Sequence, residues 1–308
     1  MTPQAVVDSA SGISRRARRD RRTRLAPVRY NEGMALESVR QISILKARGG
    51  EVRETLDWVV VEEPLEIRVQ GEQLAVLMRT PGHDLELAAG FCLTEGVVGR
   101  FADIGAIRHC REDRDPPDRE GPNAVDVTLA PGIAFDREAL RRNLIASAAC
   151  GLCGRASIEA LSRRTTPSSS RVVVRQEVLV SLPARLAEAQ GMFERTGALH
   201  AAALFDVEGC LVLAREDVGR HNAVDKVVGR AAFEGWPLTD AILMVSGRTS
   251  FEILQKAAAA SIPIVCAVSG PTTLAIETAR AFRLTLVNFL RDGGFNIATC
   301  PERILLSA

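Results

Sequence analysis

The sequence predicts a layered α/β protein whose main sheet is mostly internal. Four apolar runs in the C-terminal half look like buried strands, and three stretches with helical spacing lie between them. Alternation of this kind is typical of a sheet covered by helices. The strand-like runs are residues 210–214, 242–246, 264–267 and 285–289, and the helical stretches are residues 223–233, 251–260 and 272–282.

The N-terminal half predicts a smaller α+β unit. Regular structure is expected to begin near Trp58, with short strands, a helix over 85–95 that ends at Gly96, a strand over 124–129 and a helix over 136–146. We expect a disordered basic extension (1–50), a smaller α+β domain (51–145), a flexible cysteine loop and link (146–170) and an α/β cofactor-binding domain (171–308). This division leaves open whether the smaller domain includes parts of the C-terminal half.

The charge of the chain is unevenly distributed. Eight arginines and one acid lie between Arg15 and Arg29, yet the 308 residues carry a formal net charge of only +1. Arg15 and Arg16 are like a twin-arginine export signal, but no apolar stretch follows them. We interpret the segment as a solvated arm, with neither nucleic acid nor a membrane as partner. A run of roughly 18 apolar residues, as a membrane helix needs, is not found.

Cysteine usage indicates a reducing compartment and hence the cytoplasm. An odd number of cysteines in a chain long enough to bury a sizeable core argues against a disulfide framework. Only Cys150 and Cys153 are closely spaced. The seven cysteines are Cys92, Cys110, Cys150, Cys153, Cys210, Cys266 and Cys300.

The Cys150-Gly-Leu-Cys153 segment is the first candidate for chemistry. Glycines let the backbone bend towards a partner, and a helix predicted to start near Ser157, with Arg155 close by, favours a thiolate. A zinc site needs four ligands and no second pair exists, so no metal is expected. A thioredoxin-like site places its pair after an early strand, whereas this pair lies mid-chain. A persulfide-carrying loop is the third interpretation, which the motif alone does not establish.

A second constellation lies at a predicted strand-to-helix junction, residues 215–226. A glycine followed by a helix leaves backbone N–H groups free for a phosphate, and basic side chains add charge-assisted contacts. Asp217 or Asp225 is suited to a guanine edge. The alternative is a surface patch of ion pairs. The candidate contacts are Asp217, Gly219, Arg220, His221, Asn222 and Lys226.

Other junctions repeat this pattern. Ser246-Gly247-Arg248, residues 269–273 and residues 289–294 each follow a predicted strand, where α/β sheets bind ligands. Their convergence favours a nucleotide-sized anion. His200 lacks the His-x-Glu and Pro-Cys-x-x-Cys pattern of zinc deaminases, so it is either a pocket residue or a core histidine.

Taken together, the motifs strongly resemble those of the formate dehydrogenase accessory sulfurtransferases, the FdhD family. The resemblance extends from about Leu56 to Ile304. It covers TPGHDLELAAGFCLTEGVV from Thr80, CGLCGRASIEAL from Cys150, TGALHAAAL from Thr196, EDVGRHNAVDKVVG from Glu216, SGRTSFEILQKAA from Ser246 and RLTLVNFLRDGGFNIAT from Arg283. The sequence departs from the family at Ala198 and Ala298, where a glycine and an aromatic are common, and the Arg-rich N-terminus lies outside the resemblance.

The resemblance implies a function. Proteins of this family accept persulfide sulfur from a cysteine desulfurase and pass it to the bis-molybdopterin guanine dinucleotide cofactor of formate dehydrogenase. Cys150 matches the persulfide cysteine and Cys153 its companion. The cofactor-binding segment matches Phe289, Leu290, Arg291, Asp292, Gly293 and Gly294. The resemblance also implies a cytidine-deaminase-like larger domain and a homodimer.

We therefore predict a cytoplasmic sulfurtransferase that works through a Cys150 persulfide. Two alternatives stay open. One is a chaperone that binds the molybdenum cofactor without transferring sulfur. The other is a thiol–disulfide oxidoreductase, which would need both cysteines.

Overall fold

A computed structural model describes residues 38–110, 123–134, 154–236 and 238–307 of the chain. Cys150, Cys153, the Arg15–Arg29 segment and the helix expected over 136–146 lie outside these ranges. The described part contains two larger sheets, two pairs of strands and seven α-helices. The prediction of a mixed α/β protein is confirmed.

The strands are β1 Val39–Arg48, β2 Glu51–Val60, β3 Glu63–Val69, β4 Glu72–Arg79, β5 Ile104–Cys110, β6 Ala124–Leu129, β7 Val174–Arg175, β8 His200–Phe205, β9 Leu211–Asp217, β10 Ile242–Val245, β11 Ile264–Ala267, β12 Thr285–Arg291, β13 Gly294–Thr299 and β14 Ile304–Leu305. The helices are α1 Asp84–Thr94, α2 Gly154–Ser162, α3 Gln176–Glu188, α4 Gly191–Thr196, α5 Arg220–Phe233, α6 Phe251–Ala259 and α7 Thr273–Ala281. Short 3-10 turns span Phe101–Asp103 and Pro301–Arg303.

The larger sheet has six strands in the order β13-β12-β11-β10-β8-β9. β10, β11 and β12 pair in parallel, and β8 pairs antiparallel with both β10 and β9. Strands β9 to β12 therefore run in one direction, while β8 and β13 run in the other. As a result, the segments that follow four strands meet at one edge of the sheet.

Helices cover both faces of this sheet, as the apolar runs predict. Leu179, Leu182 and Leu186 of α3 are buried against one face together with Phe205 and Met244. The other face packs against α5, α6 and α7 in a second cluster of buried side chains, among them Val224, Val227, Leu254 and Ala275. A likeness of this layering to cytidine deaminases stays a prediction.

The smaller sheet has the order β4-β3-β6-β5 and packs on α1. Nine of the eleven residues of α1 are buried, because the helix lies between this sheet and α5. Its Leu87 and Phe91 belong to the core of the smaller sheet. A helix that is covered on all sides carries small residues where another helix crosses it closely.

Helices α1 and α5 touch through two glycines. A β-carbon on Gly90 would lie 2.6 Å from the carbonyl carbon of Asp225, and one on Gly229 would lie 2.7 Å from the carbonyl carbon of Glu86. Real β-carbons do not approach backbone atoms so closely, so both positions require glycine. This close crossing fixes the smaller sheet relative to the larger one.

Some expected boundaries are wrong. Within the described residues, regular structure is already present at Val39, well before Trp58, because β1 and β2 form a long hairpin whose charged and exposed side chains hide the strand pattern. Strand β1 thus lies within the segment expected to be disordered. Helix α2 begins at Gly154, three residues before its expected start near Ser157. The predicted domain limits stay predictions.

Candidate functional site

The candidate site is the edge of the larger sheet where β9, β10, β11 and β12 end. β8 begins at the same edge, since His200 pairs with Asp217. The structure thus gathers most of the segments that the sequence singled out. They are His200, residues 217–222, residues 246–250, residues 269–273 and residues 289–294.

Three helix N-termini point to this edge, and they differ in how open they are. In α7, the N-cap Thr272 side chain already accepts a hydrogen bond from the Ala275 N–H at 3.2 Å. The N-caps of α5 and α6, Gly219 and Ser250, make no side-chain capping bond. Helix α6 has Glu252 in its first turn, whereas α5 has no acidic residue there. The α5 N-terminus is therefore the most favourable of the three for an anion.

Two arginines and a histidine surround this N-terminus. Nε of Arg220 is buried and has no hydrogen-bond partner among the described residues. A β-carbon on Gly247 would lie 3.3 Å from Nδ1 of His200 and 3.9 Å from Cδ of Arg220, so these side chains are neighbours. Burial, followed by the charges of Arg220 and Arg248, lowers the pKa of His200. The surroundings are thus cationic, which suits a phosphate.

His221 lies in the first turn of α5 and faces α6. Burial, followed by the charges of Arg220 and Lys256, lowers the pKa of His221 to about 4, so the ring is neutral at pH 7. Its Nε2 lies 3.5 Å from Oγ of Ser250, which donates to Glu252 at 2.6 Å. A neutral imidazole can offer an N–H to an anion but adds no charge.

An aromatic side chain stands on the other side of the edge. Phe289 has a left-handed backbone (φ 53°) and is 42% exposed. Its ring lies over Gly270, and the Arg291 guanidinium carbon is 5.9 Å from the ring centroid. Leu290 points into the core, so only its backbone is available to a ligand. Asp292, Gly293 and Gly294 form the exposed turn into β13.

Three other candidate residues point inward. Nζ of Lys226 pairs with Oδ2 of Asp217 at 2.7 Å and donates to the Thr80 carbonyl at 2.9 Å. Nδ2 of Asn222 donates to Asp217 and to the Met78 carbonyl. Their polar groups are therefore used within the protein, and direct contact with a ligand stays a prediction for each. The interpretation as a surface patch of ion pairs is wrong, because Asp217 and Lys226 are buried.

Sequence reasoning missed a buried ion cluster beside the site. Nζ of Lys256 lies 2.8 Å from Asp225 and 2.7 Å from Glu95, and Oγ1 of Thr94 donates to Asp225 at 2.7 Å. Burial, with Glu95 nearby, raises the pKa of Asp225 to about 6 although Lys256 opposes this shift. One signal was available, since Lys226 and Lys256 are two of only three lysines in the chain.

The described ranges of the chain contain no group of three or more His, Cys, Asp or Glu side chains placed to hold a metal ion. None of the helices in these ranges is long and apolar enough to cross a membrane.

Comparison with known proteins identifies the family. The model of the FdhD/NarQ family matches residues 60–305, which is most of the chain. The chain belongs to the FdhD/NarQ family. The resemblance inferred from the sequence motifs is thus confirmed.

Relatives in the FdhD/NarQ family carry descriptive names. The sulfur carrier protein FdhD of Streptomyces avermitilis is 48% identical over 269 residues, which cover 86% of this chain and 95% of that protein. The protein of the same name from Mycolicibacterium paratuberculosis is 44% identical over 274 residues, which cover 88% of this chain and all of that protein.

A solved structure of a more distant protein has a similar fold. The crystal structure of a putative formate dehydrogenase accessory protein from Desulfotalea psychrophila has a TM-score of 0.68 to this chain. The matched region covers 87% of this chain and 99% of the chain in that crystal structure, and the two sequences are 23% identical. At this identity the likeness supports the fold alone.

Proposed function

We propose that this protein is a sulfur carrier that takes persulfide sulfur from a cysteine desulfurase and delivers it to the bis-molybdopterin guanine dinucleotide cofactor of formate dehydrogenase. The observation that carries the proposal is the open, acid-free N-terminus of α5 beside the unpartnered Arg220 Nε. This arrangement suits the phosphates of a dinucleotide. The FdhD/NarQ relatives named as sulfur carriers support the same function.

The sulfur step is assigned to Cys150. Its thiolate attacks the outer sulfur of the donor persulfide, so one S–S bond forms, another breaks, and the desulfurase cysteine leaves as a thiolate. When the outer sulfur passes on as sulfide, the acceptor supplies two electrons and the Cys150 thiolate is regenerated. Helix α2 begins at Gly154, one residue after Cys153 in sequence, and helix N-termini favour thiolates nearby.

At the sheet edge, the chain's own residues hold the cofactor as a bound substrate. The N–H groups of the first turn of α5 and the Arg220 guanidinium are assigned to a phosphate, and His200 and Arg248 complete the cationic surroundings. Phe289 offers an exposed aromatic face on which a guanine ring can stack. Ser246 and Gly247 follow β10 at the same edge. We further propose that the protein acts in the cytoplasm as a homodimer.

Incubation with a cysteine desulfurase and cysteine should add about 32 Da, the mass of one sulfur atom, to a Cys150 peptide. Cys150 and Cys153 share one tryptic peptide, residues 143–155, because Arg142 and Arg155 flank it. We therefore expect mass spectrometry to detect the added sulfur in wild type and in Cys153→Ala, but not in Cys150→Ala.

The alternative functions predict different results in that experiment, in a disulfide-reduction assay or in an assay of formate dehydrogenase activation. A chaperone that only binds the cofactor gains no sulfur in any variant. A thiol–disulfide oxidoreductase reduces disulfide substrates and loses this activity in either cysteine variant. A Cys150→Ala protein that still activates formate dehydrogenase would rule out the assigned role.

The anion site is tested with GDP as the probe. Replacing Arg220 with glutamine should weaken GDP binding about tenfold to a hundredfold, since it removes a charge-assisted contact. Arg230→Gln is the matched control. The Nε of Arg230 is also buried and has no partner among the described residues, but Arg230 lies in the last turn of α5, where its terminal nitrogen pairs with Glu234. Isothermal titration calorimetry should show wild-type affinity for this control. Equal weakening in both variants would contradict the site.

A further inference from the structure

The Asp217 carboxylate is the most heavily bonded side chain at the sheet edge. It is fully buried and accepts four hydrogen bonds. Oδ1 accepts from the Gly219 N–H at 2.8 Å and from Nδ2 of Asn222 at 3.0 Å. Oδ2 accepts from the Thr80 N–H at 3.2 Å and from Nζ of Lys226 at 2.7 Å. A carboxylate with four such donors has no acceptor site left for a ligand.

These bonds fix the backbone that leads into α5. Asp217 holds the N–H of Gly219, and Oγ1 of Thr80 accepts from the N–H of Val218 at 3.1 Å. Thr80 is held in return, because its own N–H donates to Asp217 and its carbonyl accepts from Lys226. The two residues before the helix are therefore anchored to a loop of the smaller sheet. The N–H groups of the first turn of α5 have no partner within the helix. Because the preceding backbone is fixed, these N–H groups are held in one direction, towards the sheet edge.

The opposite charges of Asp217 and Lys226 largely cancel in their effect on an anion at the sheet edge. Asp217 and Lys226 are 0% and 1% exposed and lie in direct contact. A lone buried carboxylate behind a phosphate site would repel the anion, and the adjacent ammonium removes that repulsion. The pair therefore supplies geometry rather than net charge.

We propose that Asp217 is a positioning residue for the anion site: it holds the Val218–Gly219 turn so that the free N–H groups of α5 converge on a phosphate, without touching the ligand itself. This inference rests on the proposed function of the same edge. It also replaces the interpretation of Asp217 and Lys226 as direct ligand contacts. A carboxylate is needed here because both of its oxygens accept hydrogen bonds, whereas the side-chain amide of asparagine, which has the same shape, has only one acceptor oxygen.

The test compares two buried aspartates with GDP as the probe. Asp217→Asn leaves the Asn side chain with N–H groups facing two of the four donors, so we expect GDP affinity to fall about tenfold. Asp225→Asn is the matched control. Asp225 is 1% exposed, and its two oxygens are bonded to Lys256 and Thr94, so the guanine contact considered from the sequence is not open to it. This control should lose stability as Asp217→Asn does and keep wild-type affinity, measured well below both unfolding temperatures.

A double variant separates positioning from general destabilisation. Asp217→Asn with Lys226→Met removes the unpaired buried ammonium, so stability should recover relative to Asp217→Asn while GDP affinity stays low. Hydrogen exchange of the amides in residues 218–223 should be faster in both variants than in wild type and in Asp225→Asn.

The outcomes distinguish the two proposals. Wild-type protein that does not bind GDP overturns the proposed function, and exchange at residues 218–223 then decides whether Asp217 holds the turn. Wild type that binds while Asp217→Asn binds equally well overturns the positioning role. Recovery of affinity together with stability in the double variant overturns it too.

Discussion

Replacing Lys256 with methionine should lower the free energy of unfolding at pH 7.5 by about 3–5 kcal/mol, the usual cost of breaking a buried ion pair. Lys256 is 3% exposed and holds Glu95, Asp225 and Thr94. Without it, the buried Asp225 carboxylate and the partly buried Glu95 carboxylate lose the ammonium group that both of them contact. Urea denaturation followed by circular dichroism measures the loss. Lys46→Met, at an exposed position of β1, should stay within about 0.5 kcal/mol of wild type.

The loss caused by Lys256→Met should depend on pH, and its sign follows from the carboxylates. Lys256 lowers the pKa of both Asp225 and Glu95, so its removal raises both values in the folded protein. A raised carboxyl pKa contributes stability at low pH that is lost as the pH rises through the folded-state value. As the pH falls from 7.5 to 5, the difference in the free energy of unfolding between wild type and Lys256→Met should therefore become smaller. A loss that is equal at both pH values would contradict this account.

Gly229→Ala is the second substitution with a large expected effect, a loss of about 3 kcal/mol. Its β-carbon would meet the carbonyl carbon of Glu86 at 2.7 Å and the backbone N of Gly90 at 2.8 Å. Both are backbone atoms, so α1 and α5 must move apart. That movement also stretches the bond between Thr94 and Asp225 and the pair between Arg215 and Glu86.

The control for this substitution is a helical glycine in open space. Gly191 begins α4, and a β-carbon there meets nothing within 4 Å. Gly191→Ala should be neutral or up to about 1 kcal/mol more stable, because alanine restricts the unfolded chain. Urea midpoints of the two variants measure the contrast. A Gly229→Ala protein within about 1 kcal/mol of wild type would show that the crossing tolerates a methyl group.

Much of the larger sheet was predictable because its strands are short apolar runs bounded by turn residues. The strand over 264–267 was predicted with the bounds it has, and so was the strand over 124–129 of the smaller sheet. β8 was not predicted, since His200–Phe205 contains three alanines, which favour helices. Its pairing with β9 and β10 overrides that preference.

The candidate site was predictable in location but not in the role of each residue. The rule that ligands bind beyond the carboxyl ends of parallel strands placed Arg220, Gly247 and Phe289 at one edge. It gave no means of telling that Lys226 points inward, because its partner Thr80 is 146 residues away in sequence. A junction pattern shows which residues lie near an edge, whereas long-range packing decides which of them face solvent.

The crossing of α1 over α5 has a consequence for how the protein can be divided. Thr80, Thr94 and Glu95 come from the first third of the chain, yet their partners Asp217, Asp225 and Lys256 belong to the last third. A fragment that starts after Cys153 would expose these charged groups to water and lose the loop at Thr80 that anchors α5. Chimaeras between relatives should therefore exchange both segments together, since the last third carries the sheet edge of the candidate site but not the loop that anchors α5.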